Sequence, residues 1–227
     1  EASKFQVEVL YRDIGHLFVQ IQEQKSYRDS ILDVSYTIQE GGIAHINKVH
    51  IRGNTKTKDK VIRRELKIFP GDIFSQTLVA RSQREIFQLN FFDNVIPYPE
   101  PVGNDDVDLI FEVTEREAGT GTFSAGAAYS QRDALLLTLG LQIPNFLGNG
   151  QRADMNIEFG EQKKYYSIGF TEPWFLDTPT LMGASLFYQD LNNFNFVEGG
   201  SQGNRQLISY GLRLRLGRRL PWPDDYF

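Results

Sequence analysis

The stretch "RADMNIEF", residues 152–159, alternates polar and apolar side chains without interruption. Its polar residues are Arg152, Asp154, Asn156 and Glu158, and its apolar residues are Ala153, Met155, Ile157 and Phe159. As a β-strand it has one polar and one apolar face. A soluble sandwich buries the apolar face in protein, whereas a membrane barrel turns it toward lipid and keeps the polar face inside. Whether the apolar face meets protein or lipid therefore distinguishes a soluble sandwich from a membrane barrel.

Five other segments after residue 121 show the same alternation, from "TFSAGAAYS" at 122–130 to "LISYGLRLRLG" at 207–217. Every second connection carries aromatic residues, and the other connections are polar, the longest being 190–205. Aromatics at one end of the strands resemble an interfacial girdle, which favours a transmembrane barrel over a sandwich. We predict a periplasmic-side girdle of Phe146, Trp174, Phe175, Trp222 and Tyr226. We predict lipid-facing side chains at Met155, Ile157, Phe159, Ile168, Phe170, Leu212 and Leu214.

Six strands are too few to close a lipid-facing barrel, because open edges would leave backbone groups unpaired in hydrocarbon. We therefore expect residues 118–227 to be the first six strands of a longer antiparallel barrel. The composition changes near residues 116–121, where charged residues and helix formers give way to Gly, Tyr, Phe, Ser and Thr. This change marks the predicted boundary between the barrel and an upstream α+β region.

The upstream region contains a repeat. Residues 31–41 and 106–116 align at a constant offset of 75, which pairs Asp33 with Asp108 and Glu40 with Glu115. This spacing indicates two copies of a small domain. We expect the chain to start inside the first copy, so that residues 1–42 are the C-terminal part of one domain and residues 43–117 are a complete second domain.

The complete copy predicts the order strand, helix, helix, strand, strand. A strand over 44–54 is followed by a helix over 57–66 with Thr57 as its N-cap. A second helix over 75–90 has Ser75 as its N-cap, and two strands lie over 91–101 and 106–116.

Several motifs resemble a known family. "IRGNTKTKDKVIRREL", "FPGDIFS", "NFFDNV" and "VDLIFEVTERE" are similar to the polypeptide-transport-associated (POTRA) domain of outer-membrane insertases. "NFLGNGQ", "GFTEPWFLDTP" and "GASLFYQD" are similar to the opening barrel strands of the same superfamily. The resemblance covers nearly the whole chain. It implies an outer-membrane barrel with POTRA domains in the periplasm of a Gram-negative bacterium, and a full barrel of sixteen strands.

Two strands are candidate sites for backbone pairing with another polypeptide. The first is a POTRA edge strand with Phe91, Phe92, Asn94, Val95 and Ile96, where Pro97, Pro99 and Pro101 cannot donate ladder hydrogen bonds. These prolines are equally consistent with protection of the edge against aggregation. The second is the first barrel strand, which the resemblance places at the closing seam: Phe123, Ser124, Ala125, Gly126, Ala127, Ala128 and Tyr129. Its small side chains are alternatively explained by a tight barrel interior.

Composition and motifs exclude several other functions. The net charge is -5, and the short basic run at 213–219 has no accompanying aromatic platform, so no nucleic-acid partner is expected. The chain has no cysteine, and the G-x-S-x-G match at 199–203 lacks the strand-turn-helix context of a hydrolase. We therefore expect no enzyme activity, no cofactor and no metal.

The resemblance implies the central subunit of an outer-membrane assembly machine. Its expected partners are unfolded β-barrel clients, accessory outer-membrane lipoproteins and the lipid bilayer, with clients inserted by strand addition at the seam. A two-partner-type secretion transporter of the same superfamily is the first alternative. A soluble two-domain binding protein, whose second half is a sandwich, is the second alternative.

Overall fold

A computed structural model of the chain describes residues 2–28, 31–103, 105–117, 121–130, 134–198 and 201–219. The chain divides into two compact units, Glu1–Glu117 and Ala118–Phe227. Among the described residues, no helix has the length and apolar character needed to cross a membrane.

The first unit begins with three elements: helix α1 (Ala2–Asp13), strand β1 (Gln20–Arg28) and strand β2 (Ile31–Gln39). The two strands form an antiparallel pair in which Gln20 lies opposite Gln39. Helix, strand, strand is also the order in which the second copy of the repeat ends. The sequence repeat thus corresponds to a structural repeat.

The complete domain follows with β3 (His45–Arg52), α2 (Asp59–Arg63), α3 (Gln76–Gln88), β4 (Phe92–Val102) and β5 (Asp106–Glu115). The predicted order of strand, helix, helix, strand, strand is confirmed. The three strands form one sheet in the order β3-β5-β4, where β3 runs parallel and β4 antiparallel to the central β5. The hydrophobic core includes Phe74, Phe92 and Phe111, each at most 2% exposed.

The sequence predicts the N-cap of α3 correctly but not that of α2. Ser75 is the N-cap of α3 as predicted, since its Oγ accepts a hydrogen bond of 3.2 Å from the Leu78 N–H. The prediction that Thr57 caps the first helix is wrong, because α2 begins at Asp59 after Lys58. Thr57 is instead buried, and its N–H donates to the carboxylate of Glu115.

The second unit is a single six-stranded antiparallel sheet in which each strand pairs with its sequence neighbours. Its strands are β6 (Thr122–Ser130), β7 (Ala134–Phe146), β8 (Gln151–Gly160), β9 (Lys163–Glu172), β10 (Thr180–Glu198) and β11 (Ser201–Arg218). The two packed sheets that a sandwich requires are therefore not formed by the described residues.

The long polar connection predicted at 190–205 is largely not a loop. Strands β10 and β11 continue through it as a hairpin, with Phe194 opposite Arg205 and Glu198 opposite Ser201. A register irregularity between Leu191 and Phe194 separates this extension from the rest of the pair. Polar sequence suggests a loop, but backbone pairing extends the strands regardless of side-chain polarity.

Candidate membrane surface and strand edges

Strand register brings the apolar residues of the second unit into continuous cross-strand rows. One row crosses all six strands, and it consists of Phe123, Leu141, Met155, Ile168, Leu186 and Leu212. The seven residues predicted to face lipid all lie on this one face. Six of them are exposed, from Met155 at 39% to Leu214 at 66%, and Ile157 is half-buried. The described part of the sheet thus has a broad apolar face that no other element of its unit covers.

The opposite face is polar along the same strands. Its rows include Thr122, Gln142, Asp154, Gly169, Ser185 and Arg213. Charged side chains on this face find partners on it: Lys163 Nζ lies 2.6 Å from Glu158 Oε2, and the Arg213 guanidinium lies 5.3 Å from the centre of the Phe187 ring. This face has the chemistry of a hydrated interior.

The glycines within these strands provide independent information on curvature. Gly126, Gly140, Gly169, Gly183 and Gly211 all belong to the polar face. A Cβ at Gly169 would lie 2.5 Å from Asp154 Oδ2, and one at Gly211 would lie 3.1 Å from the Phe187 ring. Larger side chains therefore lie over glycines of the neighbouring strand. Such crowding is expected on the concave side of a curved sheet, where side chains converge.

Aromatic side chains lie where the apolar face reaches the turns at 147–150 and 173–179. Phe146 packs edge to face against Phe170, with ring centres 6.4 Å apart. Trp174 and Phe175 lie in the second of these turns, and Phe175 is 37% exposed. Three predicted girdle residues thus lie at one end of the sheet. Trp222 and Tyr226 lie outside the described residues.

A second aromatic row lies nearer the other end of the apolar face. Tyr166, Tyr188 and Tyr210 are direct cross-strand neighbours, and the rings of Tyr166 and Tyr188 are 6.2 Å apart. The next row toward the strand ends is mixed: Lys164 lies opposite Asp190, and Phe159 and Ile208 flank this pair. The apolar face therefore has aromatic side chains near both of its ends, as is typical of membrane-spanning strands. Sequence reasoning missed this row because the tyrosines align only once the register is known.

Strand β6 lies at one end of the six-stranded sheet. Its inner side pairs with β7 from Thr122 to Ser130, and no described strand pairs with its outer side. Gly126 has a packing role, because a Cβ there would lie 2.9 Å from Thr138 Oγ1. Phe123 and Tyr129 are exposed on the apolar face, at 69% and 77%. The predicted seam residues thus lie on a strand that no described strand pairs with on its outer side, and their side chains are exposed and, apart from the two aromatic ones, small.

Strand β4 lies at one edge of the three-stranded sheet, but its outward N–H groups are occupied or absent. The Val95 N–H donates to Asn94 Oδ1 at 2.9 Å, and the Val95 carbonyl accepts from Gln83 Nε2 at 2.7 Å. Outward groups recur at every second residue of an antiparallel edge, and the following positions in this phase are Pro97, Pro99 and Pro101. Proline has no N–H. This geometry favours the hypothesis that the prolines protect the edge.

The side chains of the predicted edge residues are mostly inaccessible. Phe91 lies just before β4, and Phe91, Phe92 and Val95 are at most 6% exposed. Asn94 and Ile96 are exposed, but the Asn94 side chain is engaged with the Val95 N–H. A polypeptide pairing with this edge would meet few accessible side chains and no free N–H group at Val95, Pro97, Pro99 or Pro101.

The opposite edge of the same sheet, β3, is also partly covered. The Ile46 N–H donates to the Asp72 carbonyl at 2.9 Å, and the Ile46 carbonyl accepts from the Gly71 N–H at 2.7 Å. Farther along, Arg63 Nη1 lies 3.3 Å from the Val49 carbonyl. Both edges of this domain are thus shielded by its own chain.

Glu115, at the end of β5, holds the loop that precedes α2. Its carboxylate accepts hydrogen bonds from the backbone N–H groups of Thr55, Lys56 and Thr57 and from Thr55 Oγ1. Burial by itself raises the pKa of Glu115, but these hydrogen bonds outweigh it and lower the pKa to about 2. The carboxylate is therefore ionised at every physiological pH.

Asp13 links the partial domain to the complete one. Its carboxylate accepts hydrogen bonds from Ser75 Oγ at 3.1 Å and from the N–H and Oγ1 of Thr77, both at 2.7 Å. Burial raises the pKa of Asp13, while the bonds from Thr77 and Ser75 lower it, with a net decrease. A carboxylate at the N-terminus of α3 also interacts favourably with the helix dipole.

Comparisons with protein families match both units. Residues 44–116 match the POTRA family, described as a surface antigen variable number repeat. Residues 145–225 match the Omp85 superfamily domain.

Comparison with curated proteins finds outer-membrane assembly factors. The chain is 32% identical over 205 residues to the outer membrane protein assembly factor BamA of Neorickettsia risticii, a match covering 88% of this chain and 27% of the relative. It is 31% identical over 172 residues to BamA of Neisseria meningitidis serogroup B, covering 75% of this chain and 21% of the relative. The chain thus spans about a quarter of the length of these relatives.

Solved structures show the same fold. BamA from Haemophilus ducreyi lacking POTRA domains 1–3 superposes with a TM-score of 0.80 at 23% identity, covering 93% of this chain and 40% of that one. CdiB from Escherichia coli gives a TM-score of 0.51 at 14% identity, covering 93% of this chain and 40% of that one.

An α+β POTRA domain followed by antiparallel strands with one apolar face defines the class of outer-membrane proteins that join periplasmic POTRA domains to a barrel. The chain belongs to the BamA-type branch of the Omp85 superfamily. Its barrel strands are located in the outer membrane, and its POTRA region is located in the periplasm.

Proposed function

We propose that the full-length protein is the central, non-enzymatic subunit of a machine that assembles outer-membrane β-barrel proteins. The observation that carries this proposal is a POTRA domain followed by an antiparallel sheet with one apolar and one polar face, whose first strand is β6. A free strand edge offers backbone donors and acceptors, which pair with an extended polypeptide of almost any side-chain sequence. Such pairing suits a machine with many different clients.

In this proposal the apolar face of the sheet meets lipid. Met155, Ile157 and Phe159 face the acyl chains, together with Ile168, Phe170, Leu212 and Leu214, while Arg152, Asp154 and Glu158 line a hydrated interior. The position of the strand glycines on the polar face supports this orientation, because that face is the crowded one. In this orientation the apolar face of residues 152–159 meets lipid and their polar face meets the barrel interior.

The client is proposed to add its strand to β6 over residues 123–129. Each hydrogen bond formed there removes an unpaired backbone group from an environment without water, which is a favourable step in a membrane. No energy-rich cofactor is needed, because folding of the client supplies the driving force.

The POTRA domains are proposed to receive unfolded clients and to bind the accessory lipoproteins. The shielded β4 edge of the described POTRA domain argues that these contacts use other surfaces.

Cysteine cross-linking with a matched pair of serines tests the proposal. Ser124 on β6 and Ser167 on β9 lie in the same cross-strand row of the polar face, but β9 is paired on both sides. The full-length protein carrying Ser124→Cys is expected to form a disulfide with cysteines in the terminal strand of a client when copper-phenanthroline is added as the oxidant during assembly in proteoliposomes. Ser167→Cys is the control and is expected to form none. Equal cross-linking of the two variants, or folding of the client without any cross-link at Ser124→Cys, would contradict strand addition at β6.

The same experiment separates this function from that of a secretion transporter. A transporter passes its substrate through the interior, where Ser124 and Ser167 are both on the polar face. A transported chain would therefore meet both cysteines, whereas a client strand at the seam meets one.

A further inference from the structure

Two leucines occupy unusual positions in adjacent turns of the second unit. Leu147 lies in the turn between β7 and β8 with φ 52°, and Leu176 lies in the turn between β9 and β10 with φ 54°. Both follow a phenylalanine in the sequence. Left-handed backbone is unfavourable for a residue with a Cβ, whereas glycine adopts it freely. Gly148 and Gly150 in the first turn adopt it as expected, at φ 72° and 71°.

Packing within the unit does not compensate for this cost. Leu147 is 74% exposed and Leu176 is 79% exposed. A polar residue such as asparagine tolerates the same backbone better and interacts more favourably with water. Leucine side chains at these two positions are therefore explained by an apolar environment outside the unit.

The two turns are neighbours on one rim of the sheet. Strands β8 and β9 pair directly, and Gln151 Nε2 donates to Glu172 Oε2 at 2.7 Å at the base of the turns. The two hairpins are two strand spacings apart, which is roughly 10 Å. Each leucine lies one residue beyond an aromatic at the end of the apolar face, and Phe146 packs on Phe170 of that face.

The backbone of both turns is largely satisfied internally. The Gly148 N–H donates to the Asn145 carbonyl, and the Gly150 N–H donates to the Asn145 side chain. In the second turn the Asp177 and Thr178 N–H groups donate to the Trp174 and Phe175 carbonyls. Transfer of a turn into a partly dehydrated environment costs less free energy when its N–H groups are already hydrogen-bonded than when they are free.

We propose that Leu147 and Leu176 insert into the boundary between headgroups and acyl chains of the periplasmic leaflet and anchor this rim of the barrel. This inference rests on the proposed orientation of the apolar face toward lipid. The interfacial layer extends about 5 to 7 Å beyond the hydrocarbon on each side, which accommodates a side chain one residue beyond the aromatic end. A leaflet surrounds the rim continuously, so it accounts for the same feature in two successive turns.

Site-directed spin labelling tests the anchor directly. The 227 residues contain no cysteine, so single cysteines can be introduced into the full-length protein once any cysteines elsewhere have been replaced. The labelled protein is reconstituted in phosphatidylethanolamine and phosphatidylglycerol vesicles, and the accessibility of each nitroxide to oxygen and to nickel-EDDA is measured. Labels at Leu147→Cys and Leu176→Cys are expected to have oxygen-to-nickel ratios several-fold higher than a label at Asn149→Cys in the same rim. Met155→Cys and Asp154→Cys serve as references for the two faces.

The outcomes are distinguishable. If both leucine positions are accessible to nickel while Met155→Cys is in lipid, the anchor is overturned and the barrel orientation stands. If the leucine labels are shielded from both reagents, they contact protein, and the anchor is again overturned. If Met155→Cys itself is accessible to nickel, the proposed orientation fails together with the inference that rests on it.

Discussion

The carboxylate of Glu115 accepts a hydrogen bond of 2.6 Å from the backbone N–H of Thr57, across 58 residues of sequence. This bond and those from Thr55 and Lys56 fix the loop after β3 to the end of β5. The loop that enters α2 is thus held by a residue just before the boundary of the POTRA unit.

The first prediction concerns the pH dependence of this contact. The pKa of Glu115 is lowered from 4.5 to about 2 in the folded domain, so the ionised carboxylate stabilises the fold above pH 4.5. This contribution is lost as the pH falls from about 4.5 toward 2. Glu115→Gln should lower the free energy of unfolding at pH 7 by about 1 to 2 kcal/mol, since the group is partly solvent-screened. Urea unfolding of the POTRA region between pH 7 and pH 3 should show the two curves converging. Glu112→Gln, on the exposed side of the same strand, is the control and should change little.

The second prediction concerns the shielded β4 edge. Removing the Gln83 amide leaves the Val95 carbonyl without its side-chain donor, so Gln83→Ala should destabilise the POTRA domain by about 1 to 2 kcal/mol. Gln88→Ala on the exposed side of the same helix should have an effect close to zero. Urea denaturation followed by circular dichroism measures both. Equal effects of the two substitutions would mean that the Gln83 bond to Val95 has no role in stability.

The third prediction concerns the two faces of the barrel sheet. Ile168 and Ser167 are adjacent in β9 but lie on opposite faces. Ile168→Lys places a charge in the proposed hydrocarbon region and should cost about 2 to 4 kcal/mol, whereas Ser167→Lys faces the hydrated interior and should cost far less. Unfolding of the full-length protein in lipid vesicles measures the difference. If Ser167→Lys is the more damaging change, the faces have been assigned the wrong way round.

The fourth prediction concerns the contact between a glycine and a carboxylate on the polar face. A Cβ at Gly169 would lie 2.5 Å from Asp154 Oδ2, so Gly169→Ala should lower the thermal stability of the barrel in detergent. Shortening the opposing side chain relieves the clash. The double variant Asp154→Ala with Gly169→Ala should therefore be more stable than the sum of the two single changes predicts. Strict additivity would show that the two positions do not interact.

Several features of this protein follow from local sequence. Alternation in each barrel segment determines two faces, because successive side chains of a strand point to opposite sides. Ser75 is a sufficient signal for the start of α3, because an N-cap bonds to a backbone N–H only three residues away. The offset of 75 residues between Asp33 and Asp108 predicts a structural repeat for the same reason, since each copy has the same local pattern.

Other features depend on contacts between distant segments. The register between strands aligned Tyr166, Tyr188 and Tyr210 into an aromatic row and brought Asp154 over Gly169. The carboxylate of Glu115 accepts a hydrogen bond from the backbone N–H of Thr57, although the local pattern indicates Thr57 as a helix cap. Periodicity along one strand contains no information on the register of its neighbour or on a carboxylate 58 residues away. The two faces of each strand are therefore predictable from its alternation, but the contacts across strands and the crowding of one face depend on the register, which forms only in the folded sheet.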